Sequence, residues 1–260
     1  MTSPEPNKFS ATLAAGGLWH KYGLKTPADL VLEDLAFAQG VVVMEGRLDS
    51  ADARLIRKGS KGLVRIKEDI PEVGRKRFAI AHELGHWLLH KAISQIVFCT
   101  SEDMIARYKG SVPEIEANYF AAELLMPERL YREKMGGADP STTLLRDLTD
   151  YFQTSLTATA VRMVEVADDS RAIVVTKNGV IQWWRASERF DGFWIDAKTE
   201  ASPNTVAGAY FRGQRMTPTA EKVNGEEWLG ERASHVAEEL YELAIPMDRY
   251  GQVLSLLWPT

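Results

Sequence analysis

The sequence predicts an α+β protein: mostly helical over residues 1–169 with a small sheet set among the helices, then β-rich over residues 170–260. Three observations carry this. Apolar residues fall at helix-compatible positions over residues 9–22, 77–90 and 111–127. Short β-branched or alternating stretches interrupt them at 41–44, 54–58 and 62–67. After Ser170 the apolar runs are short, divided by polar and turn residues, and carry tryptophans as anchors.

Composition bounds the function classes. The chain has 260 residues, 45% hydrophobic and 26% charged, enough for a sizeable core in one or two domains. A net charge of −5 gives no sign of a nucleic-acid or membrane partner. Cys99 is the single cysteine, which excludes an internal disulfide and a cysteine-rich metal site. The segment Met1-Thr2-Ser3-Pro4-Glu5-Pro6 lacks the pattern of a signal peptide, and no apolar run approaches the ~20 residues of a membrane span. The expectation is a cytoplasmic protein.

In chain order, residues 9–22 form a first helix closed near Gly23, and residues 29–40 a second ended by Gly40. A strand follows at 41–44. Residues 54–58 and 62–67 alternate apolar with basic side chains around Gly59-Ser60-Lys61-Gly62, the pattern of a half-buried hairpin. Its basic residues read as a solvated sheet face. Residues 92–110 read as irregular. Ser111, Pro113 and Pro127 bracket a helix rich in Ala. Residues 142–152 and 156–167 read as two helices joined around Gln153-Thr154-Ser155. The second carries Arg162 but also Glu165, so the pair reads as packing helices rather than a DNA-reading unit. Beyond residue 170, the stretches 172–176 and 181–185 form a hairpin on Asn178-Gly179. Strands are expected at 193–195, 210–212 and Trp228, with a closing antiparallel pair over 234–244 and 252–258.

Chemistry concentrates in Phe78-Ala79-Ile80-Ala81-His82-Glu83-Leu84-Gly85-His86, which contains H-E-x-x-H. Residues i and i+4 share a helix face, so the His82 and His86 rings can reach one metal ion. Glu83, beside the first, is placed to act as a general base. The segment is apolar on nearly every side, and burying two histidines and a glutamate without partners is costly. A catalytic zinc takes three protein ligands, so a carboxylate is sought downstream. Glu114, Glu116 and Glu123 compete on the 111–127 helix. Glu114 shares a face with Asn118, which could orient a ligating histidine, yet Ser111-x-x-Glu114 also spells a capping box. Spacing alone leaves these open. His90 extends the histidine face one turn and reads as a hydrogen-bonding residue, because three histidines on one straight helix cannot converge on one ion.

Residues from about 77 to 127 resemble the ImmA/IrrE family of zinc metallopeptidases. The matching text is the segment above with Leu88-Leu89-His90, then Glu114-x-x-Ala117-Asn118-x-Phe120-Ala121-Ala122-x-Leu124-Leu125-Met126-Pro127. The resemblance implies a zincin-like metallopeptidase core spanning residues 1–169, with Zn2+ on His82, His86 and Glu114, Glu83 as general base and Asn118 supporting a ligand. It further implies a protein substrate, such as a transcriptional repressor on a separate chain, cleaved in a stress or mobile-element response. Residues 170–260 would then be a sensory or substrate-positioning domain. Two other readings remain: a zinc-binding regulatory module without turnover, and a DNA-binding regulator using residues 142–167. Tyr119, Tyr131 and His90 are the candidate oxyanion donors.

Overall fold

A computed structural model describes residues 5–49, 51–90, 97–99 and 111–260. The architecture is α+β, as the sequence predicts. The chain divides into two compact units. The first comprises Met1–Tyr131 with Thr149–Ala158; the second comprises Arg132–Leu148 with Thr159–Thr260.

The first unit begins with α1 (Lys8–Lys21). The Asn7 side chain caps it by accepting from the Ser10 N–H, and Gly23 follows at φ +63°. Ala11, Ala15, Leu18 and Trp19 form its single buried stripe, and Trp19 Nε1 donates to the Leu124 carbonyl at 2.9 Å. The predicted helix over 29–40 is two pieces. The Asp29 carboxylate accepts from the Lys25 and Thr26 N–H groups, which closes a 3-10 turn at Pro27–Asp29. Leu30 and Val31 are not helical, and α2 is confined to Leu32–Ala38. The Asp29 turn and the β-branched Val31 break what the apolar spacing joined.

Strands β1 (Val41–Gly46), β2 (Ala53–Lys58), β3 (Lys61–Lys67) and β4 (Val97–Cys99) form a sheet in the order β1-β3-β2-β4. The β2–β3 hairpin forms as expected. β1 lies parallel to β3 and β4 antiparallel to β2. The strand at Val97–Cys99 corrects the irregular reading of 92–110, whose other positions lie outside the described residues. Alternation holds: Ala53, Leu55, Val64 and Ile66 are buried, while Ile56 and Arg65 face out. Next come α3 (Val73–Leu89), buried continuously from Phe78 to Trp87, and α4 (Val112–Leu125).

Three further helices cross between the units: α5 (Glu128–Met135), α6 (Thr142–Phe152) and α7 (Leu156–Glu165). In the second unit, β5 (Ala172–Lys177) and β6 (Val180–Ala186) form the predicted hairpin, with Asn178 and Gly179 at φ 50° and 81°. Two positive φ angles in succession are what a type I′ turn requires. With β7 (Glu221–Asn224), β8 (Glu239–Met247) and β9 (Gln252–Pro259) they make an antiparallel sheet ordered β6-β5-β9-β8-β7.

Four expectations in this region are corrected. Residues 193–195 form no strand. The 210–212 stretch lies at the end of α8 (Val206–Phe211), and Trp228 lies on the short α9 (Glu226–Leu229). Residues 234–236 of the expected closing pair belong instead to a helical turn, α10 (Ala233–Val236). A buried carboxylate ties down two of these stretches, α8 and Trp228. Glu242 on β8 is fully buried, and four donors converge on it. Its Oε2 accepts from the Val206 N–H (2.9 Å) and Trp228 Nε1 (3.0 Å), its Oε1 from the Ala207 N–H (3.0 Å) and Ser255 Oγ (2.8 Å). The first amides of α8 and the indole of α9 are thus drawn to one carboxylate. Burial pushes Glu242 above the usual carboxylate range, and the four hydrogen bonds oppose this. Among the described residues, no helix is long and apolar enough to cross a membrane.

Candidate metal centre

Helices α3 and α4 bring the predicted residues together. They can approach closely because α3 carries Gly85 where it meets Ala117. A Cβ on Gly85 would stand 3.0 Å from Ala117 Cα and 3.2 Å from its carbonyl oxygen. That proximity sets His82 and His86 of one helix against Glu114 and Asn118 of the other.

The imidazole Nε2 atoms of His82 and His86 lie 3.0 Å apart. Glu114 faces both, with Oε2 3.1 Å from His82 Nε2 and Oε1 3.2 Å from His86 Nε2. On the other side of His82, Nδ1 is 2.8 Å from Asn118 Oδ1. An amide oxygen only accepts, so His82 Nδ1 carries a hydrogen and its Nε2 is the atom offered to the site. Glu83 is fully buried one residue on. The family resemblance implied these residues as one set, and the structure brings His82, His86, Glu114 and Asn118 together with Glu83 adjacent in sequence.

Electrostatics define what the cluster lacks. Burial by itself lowers the His82 pKa, but the bond from Glu114 and the charges of Glu83 and Glu114 outweigh it and raise the value above 6.5. His86 goes the other way: burial and the neighbouring His82 lower it to about 4 against the pull of Glu114. Glu114 is desolvated, which raises its pKa, yet its bonds to both imidazoles hold it well below the usual carboxylate range. Two imidazole nitrogens and a carboxylate therefore converge on one spot. Their ligand atoms lie within 4.8 Å of one another. Two neutral-type nitrogen donors and one oxygen suit a divalent ion of the zinc class, so the residues fit the metal that the motif implies.

The remaining glutamates resolve by contact. Ser111 makes no side-chain cap bond, and the Glu114 carboxylate faces His82 and His86. Glu116 accepts from His90 Nε2 at 2.8 Å and Glu123 from the Glu128 N–H at 3.2 Å. Burial raises the Glu116 pKa, but the Asn7 amide and His90 hold it below the usual value. Both His90 nitrogens are engaged, on Glu116 and on His86 Nδ1 at 3.1 Å. Tyr131 is fully buried and stacked on Phe152.

One supporting residue escaped the sequence reading. Arg57 points to the buried side of β2, stacks on Trp87 at 3.9 Å, and donates through Nη2 to the carbonyls of Trp87 (2.8 Å) and His86 (3.4 Å). A charged residue in register with Ala53 and Leu55 on an otherwise apolar strand face was the available signal.

Two facing helices with a His/His/Glu donor set beside a buried glutamate, flanked by a small mixed sheet, define a metallopeptidase-type domain. Residues 36–164 match the peptidase M78 family, described as an IrrE N-terminal-like domain. Among solved structures, one similar chain is a Mycobacterium tuberculosis transcriptional regulator, with 16% identity and a TM-score of 0.62. The match covers 96% of this chain and 76% of that one, and at this identity it shows a shared fold. Comparison with curated proteins gives no match.

Proposed function

We propose that the chain is a zinc-dependent endopeptidase acting on a protein substrate, a transcriptional repressor supplied by a separate chain. The observation that carries this is the buried Glu83 set directly beside a converging His82, His86 and Glu114. A divalent ion held there supplies Lewis acidity toward a scissile carbonyl and makes water acidic enough to attack. Glu83 takes the proton of the attacking water and passes it to the leaving amine. Asn118 holds the His82 ring by its Nδ1–H, and Arg57 fixes the last carbonyls of α3, so the ligand face is set before substrate arrives. A regulatory setting is supported by the likeness in fold to a protein named as a transcriptional regulator. The DNA-binding reading is disfavoured, because α7 buries Thr159 to Val164 and pairs Arg162 with Glu165.

The test is a Glu83→Gln variant compared with wild type in zinc content and in cleavage of candidate repressors. Zinc should stay and cleavage vanish. Equal cleavage by both proteins would refute the peptidase mechanism. Zinc retention with no cleavage by wild type on any repressor would favour a metal-binding regulatory module.

A further inference from the structure

His86 is held differently from His82. Where Asn118 meets the His82 ring with a neutral amide, the His86 ring is met by a second imidazole backed by a carboxylate. The carboxylate is Glu116, and both its oxygens are engaged. Oε1 accepts the backbone N–H of Asn7 at 2.7 Å and Oε2 lies 2.8 Å from His90 Nε2. A carboxylate accepts only, so the hydrogen on that contact belongs to His90 Nε2. In a neutral imidazole the other nitrogen is then a lone pair, and His90 Nδ1 must accept. The atom facing it at 3.1 Å is His86 Nδ1, which therefore donates. The remaining nitrogen of His86 is left as a lone pair at the one place where Glu114 and His82 converge.

We propose that Glu116 and His90 are positioning residues for His86: the carboxylate fixes the tautomer of His90, and His90 fixes the tautomer and ring orientation of His86. The chain runs in one direction only, from the Asn7 amide and Glu116 through two imidazoles to the ligand face. It extends the carboxylate–histidine pairing common around metal sites by one intervening ring. The pair is assembled from two elements, His90 at the C-terminal end of α3 and Glu116 in the first turns of α4, so it also registers those helices against each other. Neither residue touches the reacting atoms. The role in metal binding rests on the metal-centre reading above, whereas the tautomer of His86 is a property of the metal-free chain.

The experiment uses full-length, metal-free protein labelled with 15N-histidine, in which each ring nitrogen reports whether it carries a hydrogen. Wild type should show His86 with hydrogen on Nδ1. In Glu116→Gln, the side-chain oxygen stays with the Asn7 amide and the NH2 group faces His90. That reverses the chain and moves His86 toward the Nε2–H form. Zinc affinity, measured by competition with a chromophoric chelator, should fall about 10–100-fold. His90→Phe removes the acceptor and should weaken zinc binding to a similar degree. His82, held by Asn118, is the internal control and should keep its Nδ1 hydrogen in both variants, which a general loss of structure would not allow. His86 found as Nε2–H in wild type overturns the proposal. So does an unchanged His86 with zinc affinity within about twofold in both variants, or a His82 that changes together with His86. Failure of zinc to perturb the His82 and His86 signals in wild type would instead remove the metal-centre reading, leaving the tautomer comparison to decide the relay.

Discussion

Each unit of the molecule contains a carboxylate that matters, and the two are solvated in opposite ways. Glu242 in the second unit is surrounded by donors: two backbone amides, an indole N–H and a hydroxyl. Glu114 in the first unit faces the Nε2 atoms of two imidazoles. The first arrangement is complete within the protein and organises local structure. The second gathers ligand atoms that could hold a metal ion. Burial of an acidic residue therefore marks a site only when its neighbours are also electron-pair donors.

Substitutions should separate the two roles. The largest effect is expected for Glu114→Ala or His82→Ala on metal content. Zinc affinity should fall by more than the roughly 10–100-fold that loss of a supporting partner costs, while Glu242→Ala leaves zinc stoichiometry unchanged by metal analysis. The comparison breaks if Glu242→Ala also empties the protein of zinc. Next, Glu242→Ala orphans three buried N–H donors at roughly 1–3 kcal/mol each. Urea denaturation should show a loss of several kcal/mol, with the β8 region unfolding first by hydrogen exchange. A smaller change is expected for Gly85→Ala. The new methyl group presses on the Ala117 backbone at about the cost of overpacking, 1–3 kcal/mol, less the ~1 kcal/mol gained in helix propensity. Thermal melting should fall by a few degrees and zinc affinity should drop as α3 and α4 separate.

The finest test is pH. The folded pKa of Glu242 is raised above the ordinary 4.5, so the native state binds more protons than the unfolded one between 4.5 and the raised value. This contribution is fully present below 4.5 and is lost as pH rises through the folded pKa. A Glu242→Gln variant cannot titrate there. Its stability deficit relative to wild type should narrow with rising pH, by at most about 1.4 kcal/mol per unit. A deficit that widens with pH would show that the four donors, and not burial, govern the group.

The helices, the hairpins and the histidine pair were legible because each is encoded locally, by apolar period, an Asn-Gly turn or an i, i+4 spacing. The third member of the donor set, Glu114, was narrowed by its shared face with Asn118, but spacing could not exclude Glu116. What separates them is contact with a different helix: Glu114 meets His82 and His86, Glu116 meets His90. Two of the errors after residue 190 share a cause. Tyr210, Phe211 and Trp228 have strand-like composition, yet they sit in helical turns. The α8 amides and the Trp228 indole find their acceptor on Glu242, whose partnership with Val206 spans 36 residues. Long-range acceptors of this kind leave no periodic trace in the chain.

Helix α3 is gripped at three levels. Gly74 at its start lies against the backbone at Thr154 and Ser155, Gly85 at its middle against Ala117, and its last carbonyls against Arg57. A segment fastened along its whole length by backbone contacts opens only when its surroundings open. Amide protons between Phe78 and Trp87 should thus be among the slowest to exchange in the first unit, with or without added zinc. The ion would then dock into a frame already rigid, with little ordering entropy left to lose, and chelators should strip it without melting the domain.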